Sequence, residues 1–285
     1  MTGIQHALSI TDAGEARDPL PSVRRLYFGH EFCEKLLPDA RDLARVADFC
    51  QAKGLRLTLV TPPVTQPGLA RVGELLDWLE AHQAADEVVI NDYGVLHLLR
   101  RRHPRLEPVL GRLMSKQQRD PRIMRLLAGA GAPRPVDGRL VLDVALPDEA
   151  AALYRATPLS AVRTQRLLRA LGVRRVELDN PLHGFDYEGG DDGAAASLHV
   201  PFGVLATSRR CTADPLRVTQ PFSDRLSACA RDCRRIAFEL RAEHIAVPLY
   251  RRGNTLFFRN EAVPDDAELT RRHVDRVVHQ PHLPM

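Results

Sequence analysis

Short apolar, β-rich segments alternate with segments of helical periodicity along most of this 285-residue chain, and this alternation limits the fold more than any other feature. Strand-like segments occur at 23–28, 55–60 and 87–90, and aliphatic residues between 69 and 79 recur every three or four positions, as on one helix face. Strands separated by helices pair in parallel, with the helices outside the sheet. About seven such units predict an α/β fold in a single domain, a TIM-like (β/α) barrel that is either complete or else incomplete or distorted.

The breaks in this pattern predict the limits of the domain. Residues 1–22 carry prolines and acidic residues and are predicted to be a mobile leader, with the barrel domain over 23–262. A stretch rich in glycine and aspartate predicts a flexible acidic insertion at 185–197. The remainder, 263–285, is predicted to be a C-terminal tail.

Local sequence signals predict two helices, one strand and one hairpin. A helix should begin after Asp39 and end at Gly54, and residues 198–206 should form one strand. A helix is predicted over 220–244, and the segment 247–258 predicts a hairpin that turns at Arg252-Gly253-Asn254.

Several function classes lack their sequence signatures. No G-x-G-x-x-G follows the first strand, and neither a phosphate-binding loop nor the H-E-x-x-H or G-x-S-x-G motif of hydrolases occurs. No apolar run reaches the roughly 18 residues that span a bilayer, and no secretory signal is visible, so a cytoplasmic protein is expected. A net charge of +4 is small for a nucleic-acid-binding protein, so nucleic acid is not an expected partner.

The five cysteines are the most informative residues: Cys33, Cys50, Cys211, Cys229 and Cys233. Their number is small and odd, which excludes a disulfide framework. Cys33 and Cys211 each follow a predicted strand, and strand ends meet at one rim of a barrel. Cys229 and Cys233 are four residues apart, so a helix would place both thiols on one face.

Four thiolates can hold either an iron–sulfur cluster or a structural zinc ion. The chain has no C-x-x-C motif, so the spacing leaves a third interpretation open, in which the cysteines are buried apolar residues. Cys50 lies beside Phe49 and Val46 on the apolar face of a predicted helix, and it is predicted to belong to the core.

Six segments in order resemble the collagenase-like peptidase superfamily, most closely its UbiV-type iron–sulfur branch in oxygen-independent ubiquinone biosynthesis. The segments are 26–35 (LYFGHEFCEK), 57–65 (LTLVTPPVT), 91–100 (NDYGVLHLLR), 110–122 (LGRLMSKQQRDPR), 208–213 (SRRCTA) and Cys229-x-x-x-Cys233. The resemblance covers roughly residues 24–262 and is consistent with the barrel inferred above.

The resemblance implies that Cys33, Cys211, Cys229 and Cys233 bind a [4Fe–4S] cluster. It also implies a subunit of an oxygen-independent hydroxylase that forms a heterodimer with a related, UbiU-like protein. The substrate would be a small aromatic molecule, a ubiquinone precursor, with prephenate as a candidate oxygen donor. Two alternatives stay open: a non-catalytic scaffold that carries the cluster for a catalytic partner, and an enzyme that hydroxylates RNA bases.

Four further residues are candidates for contact with the substrate. Asn91 and Asp92 follow a strand at the rim where barrel enzymes place their functional groups, although Asp92 is equally suited to cap a helix. Lys116, a rare lysine in an arginine-rich chain, and Arg119 follow another strand and could hold an anion such as a dicarboxylate. The alternative for both is a solvated loop.

Overall fold

Eight parallel strands close into a barrel in the computed structural model, which describes residues 3–17, 21–128, 134–141, 147–189, 193–208, 211, 229–243 and 245–284. Their order around the barrel is β1-β14-β9-β8-β5-β4-β3-β2, which confirms the TIM-like prediction. The strands are β1 (Gln5–Ile10), β2 (Val23–Gly29), β3 (Arg56–Val60), β4 (Glu87–Ile90), β5 (Glu107–Leu110), β8 (Arg175–Asp179), β9 (Ala195–Val200) and β14 (Val274–His279).

Helices lie between most of these strands, and local signals set their limits. Asp39 accepts hydrogen bonds from the backbone N–H groups of Arg41 and Asp42, and Gly54 ends the same helix at a φ of +64°, as predicted. The described α-helices are α1 (Ala40–Lys53), α2 (Gln66–His82), α3 (Tyr93–Arg102), α4 (Ile123–Ala128), α5 (Asp148–Arg155), α6 (Val162–Ala170) and α7 (Asp266–Arg271). None of them combines the length and apolar character needed to cross a bilayer.

A second, antiparallel sheet covers the carboxyl-terminal end of the barrel. Its order is β10-β13-β12-β11, and a separate hairpin pairs two further strands. The strands are β6 (Arg134–Val136), β7 (Arg139–Val141), β10 (Phe202–Thr207), β11 (Ala237–Leu240), β12 (Leu249–Arg252) and β13 (Thr255–Arg259). The predicted hairpin is confirmed, since β12 and β13 pair around residues 253 and 254.

The chain passes from the barrel to this sheet at Pro201. The prediction of one strand over residues 198–206 is therefore wrong. These residues form the end of β9 and most of β10. Proline has no backbone N–H and cannot continue the ladder, so it separates the two strands. An apolar layer lies between barrel and sheet; it contains Phe32, Leu36, Phe202, Val204 and Phe257.

The predicted domain limits need two corrections at the chain ends. Residues 5–10 and 274–279 are not leader and tail but adjacent barrel strands. Their inward-facing positions include polar side chains, and Nε of Arg276 donates to Oε1 of Gln5 at 2.6 Å. Because neither segment shows a regular apolar alternation, the sequence pattern does not reveal them as strands.

The predicted flexible insertion at 185–197 also differs from the structure in its described part. Phe185 and Tyr187 are buried in the main core, and the Tyr187 hydroxyl donates to the Ala194 carbonyl at 2.6 Å. Strand β9 begins at Ala195, inside the predicted insertion. Residues 190–192 of this stretch lie outside the described residues.

The barrel interior carries a buried polar network below its mouth. The Tyr27 hydroxyl donates to Glu177 at 3.0 Å, and Nε2 of His199 lies 2.6 Å from the other carboxylate oxygen. Burial raises the pKa of Glu177 to about 7 and lowers that of His199 to about 3. Burial therefore favours the uncharged form of each group, a carboxylic acid at Glu177 and a neutral imidazole at His199.

A pair of histidines joins the first and last strands and should make the barrel sensitive to acid. Nδ1 of His6 lies 3.0 Å from Nε2 of His279, and burial and then His6 lower the pKa of His279. The folded chain therefore binds a proton at His279 more weakly than the unfolded chain does. As the pH falls below about 6.5, the unfolded state gains the proton first and the free energy of unfolding decreases.

We therefore expect His279→Gln, which keeps a hydrogen-bonding group without titrating, to show a shallower loss of stability between about pH 7 and pH 5. Urea denaturation followed by circular dichroism at several pH values measures this. The exposed His97 on α3 supplies the control, His97→Gln, whose profile should match the wild type. An unchanged profile for His279→Gln would contradict the assignment.

Candidate functional site

The four cysteines predicted to act together lie on loops at the carboxyl-terminal end of the barrel. Cys33 follows β2 and begins a short 3-10 helix, and Cys211 follows β10. Cys229 lies in a loop, and Cys233 lies in the 3-10 turn Asp232–Arg234 before β11. The predicted helix over 220–244 is wrong in its described part, because residues 237–240 pair with β12 as a strand instead, and residues 212–228 lie outside the described residues.

Two of these thiols are set into apolar surroundings and two are open to solvent. Cys233 is 3% exposed and belongs to the apolar layer under the small sheet, and the half-buried Cys33 packs against that layer. Cys211 and Cys229 are exposed. The site therefore has a dry inner side and an open outer side.

The pKa values of the two inner thiols respond to burial and to the other cysteines. Burial is the largest cause of the raised pKa of Cys33, and Cys229 and Cys211 raise it further. Burial raises the pKa of Cys233 to about 11, with Cys211, Cys33 and Cys229 adding to the shift. Coulombic effects fall with distance, so such coupling requires neighbouring groups.

Cys50 behaves differently. It is 2% exposed in the main core, and burial alone raises its pKa to about 12, with no contribution from another thiol. The structure thus divides the five cysteines into four neighbours and one core residue.

The four thiols do not form a complete metal-binding site in the described structure. Across the part of the chain that the structure describes, no group of three or more His, Cys, Asp or Glu side chains stands in metal-binding geometry. The chemistry of the donor set, four soft thiols beside an apolar layer, is nevertheless of the kind that binds iron–sulfur clusters. Arg252 adds a positive charge: its Nε donates to the Cys233 carbonyl at 2.7 Å, and the Cys233 thiol counteracts part of the lowering of the Arg252 pKa by burial.

The mouth of the barrel beneath this site is filled by a buried arginine. Arg112 is fully buried; its Nη1 donates to Asp179 and to the Phe202 carbonyl, both at 2.9 Å, and its Nε donates to Glu31 at 3.2 Å. A second bond joins Nη2 to the same glutamate. Burial alone would lower the pKa of Arg112, but Glu31 and then Asp179 outweigh it and raise the pKa.

Arg119 and Gln117 extend this network at Asp179. Nε of Arg119 lies 2.6 Å from the second carboxylate oxygen of Asp179, and its Nη2 donates to the Ser115 hydroxyl at 2.6 Å. The Gln117 side chain accepts from the Asp179 backbone N–H at 2.8 Å and donates to its carbonyl at 3.2 Å. Arg119, predicted to contact substrate, is therefore held by groups of its own chain.

The other three residues predicted to contact the substrate lie at the same rim, but they differ in burial and hydrogen bonding. Asn91 is buried and donates to the Thr61 carbonyl at 2.9 Å, and Asp92 caps α3 by accepting from the Gly94 N–H at 2.7 Å. Lys116 is exposed at a φ of +55°, and the described residues offer it no hydrogen bond or ion pair. Lys116 is thus the member of the set whose side chain is available to a ligand.

Glu31, Arg112 and Asp179 are the residues that the sequence reasoning missed. Asp179 ends a barrel strand, and Glu31 and Arg112 each lie two residues after one, which is the positional signal that could have identified them. Arg112 could not be identified from the composition, because the chain has 40 lysines and arginines and no local sequence feature distinguishes Arg112 from the rest.

Comparison with known proteins identifies a similar solved structure. No family model matches the chain, and no curated protein matches it. A solved structure described as the U32 peptidase Mk0906 is 11% identical in sequence and aligns with a TM-score of 0.47. The alignment covers 100% of this chain and 96% of that chain.

Proposed function

We propose that this chain is an iron–sulfur protein in which Cys33, Cys211, Cys229 and Cys233 bind a [4Fe–4S] cluster. The observation that carries the proposal is the placement of these four cysteines on loops at the carboxyl-terminal end of the barrel, with Cys33 and Cys233 against the apolar layer. Cys50 lies apart from them in the main core. When bound, a cluster of this kind supplies one-electron chemistry.

The protein's own residues provide three conditions for such a centre. The apolar layer that includes Phe32 and Phe257 limits water on the inner side of the site. Arg252 places a positive charge beside Cys233, which favours the thiolate form needed for ligation. The open side at Cys211 and Cys229 leaves a path for an electron donor or a partner protein.

The further role that we propose is that of a subunit in an oxygen-independent hydroxylase. Support comes from the ordered segments around the cysteines, which resemble the UbiV-type branch of the collagenase-like peptidase superfamily. On this proposal the chain acts on a ubiquinone precursor together with a UbiU-like partner, and the hydroxyl oxygen comes from a donor other than O₂, with prephenate a candidate.

One observation favours a second candidate, a cluster-bearing scaffold for a catalytic partner. The barrel mouth, where barrel enzymes bind their substrates, is filled by Arg112 and its ion pairs. The apolar layer and the small sheet cover it further. On this proposal the partner supplies the substrate pocket and this chain supplies the cluster.

Anaerobic purification with iron and sulfide analysis tests the cluster. We expect a brown protein with about four iron and about four sulfide per chain, and an absorption band that dithionite bleaches. A colourless protein that contains one zinc ion and no sulfide would refute the proposal.

Replacing Lys116 distinguishes a catalyst from a scaffold, because its side chain is exposed and makes no hydrogen bond or ion pair with the described residues. If this chain binds an anionic substrate there, Lys116→Met should raise KM about tenfold in the complex reconstituted with its partner. Arg45→Met, which removes an exposed positive charge from α1, is the control. Unchanged kinetics in a complex that still forms would favour the scaffold.

A further inference from the structure

One tight turn in the small sheet touches three of the four cysteine segments. It joins β12 to β13 and consists of residues 252–255, with Gly253 at a φ of +58°, in the left-handed region that favours glycine. Two of its polar side chains, Arg252 and Asn254, reach backbone carbonyls outside the hairpin.

Asn254 links the segments of Cys33 and Cys211. Its side-chain amide donates to the Phe32 carbonyl at 2.8 Å and to the Ser208 carbonyl at 2.5 Å. Phe32 directly precedes Cys33, and Ser208 lies three residues before Cys211. The two N–H groups of one amide thus join chain segments that are far apart in sequence.

Arg252 holds the third segment. Its Nε donates to the carbonyl of Cys233 itself at 2.7 Å, and its Nη2 donates to the Arg234 carbonyl at 3.4 Å. These bonds are made to the backbone, so they fix the position of the turn that carries Cys233 and leave its thiol free to act as a ligand.

The strands of the hairpin are joined by backbone pairing. Strands β12 and β13 pair in the backbone from Leu249↔Phe258 to Arg252↔Thr255, and β13 pairs with β10 on its other edge. The Asn254 amide therefore spends both of its donors on the cysteine loops and contributes little to the pairing of its own strands.

On the basis of the proposed cluster, we propose that the β12–β13 turn sets the spacing of the cluster ligands. Asn254 is the positioning residue for Cys33 and Cys211. An amide suits this role because it offers two donors from one atom. A carboxylate of the same shape offers none and would repel both carbonyls.

Asn254→Asp is accordingly the sharpest variant, and Asn260→Asp is its matched control. Asn260 follows β13 and donates to the carbonyls of Asn180 and Pro181 at 3.2 and 3.3 Å, on the barrel rim. The two substitutions make the same chemical change, but only the first affects the cysteine loops. Asn254→Ser, which keeps one donor, supplies an intermediate case if the aspartate variant does not fold.

The test compares anaerobically purified proteins in two measurements: the rate at which a ferrous chelator removes iron, and the electron paramagnetic resonance spectrum after reduction. We expect iron release from Asn254→Asp about tenfold faster than from wild type, with Asn254→Ser between them and Asn260→Asp unchanged. The reduced spectrum of Asn254→Asp should broaden or shift, whereas loss of global stability alone would leave the spectrum of the intact cluster unchanged.

The outcomes separate this inference from the proposed function. Wild-type protein without iron and sulfide refutes the cluster itself. Loaded wild type, with an Asn254→Asp variant that matches it in release rate and spectrum, overturns the role of the turn alone. Equal acceleration in Asn260→Asp also overturns it, because the effect would then belong to the sheet in general.

Discussion

Replacing Arg112 by methionine should lower the free energy of unfolding by about 3–5 kcal/mol. The reason is the burial of its partners: Glu31 is 7% exposed and Asp179 is fully buried. Arg119 still pairs with Asp179 in the variant, so Glu31 is the carboxylate left without a counter-charge. Chemical denaturation followed by circular dichroism measures the loss.

Two further variants show whether the lost charge pairing is responsible. Adding Glu31→Leu to Arg112→Met removes the uncompensated carboxylate and should restore much of the stability, since a buried ion pair is often replaceable by apolar residues. Arg122→Met breaks the exposed pair with Asp120 and should leave the denaturation midpoint unchanged. If Arg112→Met unfolded at the wild-type midpoint, the mouth network would have no structural role.

Replacing Cys233 by serine should abolish the cluster, reducing the iron content of anaerobically purified protein from about four atoms per chain to below about one. Cys233 is the most buried of the four thiols, so no exogenous thiol can easily take its place. Iron analysis, sulfide analysis and visible absorption together measure the loss.

The control is Cys50→Ala, which removes the fifth thiol but leaves an apolar residue in the core. This variant should keep its iron and its colour, at a modest cost in stability. Loss of the cluster in Cys50→Ala, or its retention in Cys233→Ser, would contradict the division of the cysteines into four and one.

Features with local signals could be predicted from the sequence. Helix α1 has Asp39 at its start and Gly54 at its end, and the β12–β13 hairpin has a glycine at its turn. The barrel could be predicted from the strand–helix alternation, because each unit shows its own periodicity. The rule that strand ends meet at one rim placed Cys33 correctly after a barrel strand, whereas Cys211 follows a strand of the small sheet.

Features that depend on distant partners could not be predicted in this way. Arg112 reaches Glu31 and Asp179 across 81 and 67 residues of sequence. The segment after Cys233 has helical spacing, but pairing with β12 makes it a strand, since tertiary contacts override local propensity. Strands β1 and β14 were missed because polar side chains line the barrel interior at Gln5 and Arg276.

The position of β14 has a consequence for how the protein is made. This strand lies between β1 and β9 in the barrel, yet it is the last of the eight in the chain. While the nascent chain emerges, β1 and β9 each keep one unpaired edge until residue 279 has been synthesised. Such edges can pair with other chains, so a newly made molecule is exposed to aggregation until β14 closes the barrel.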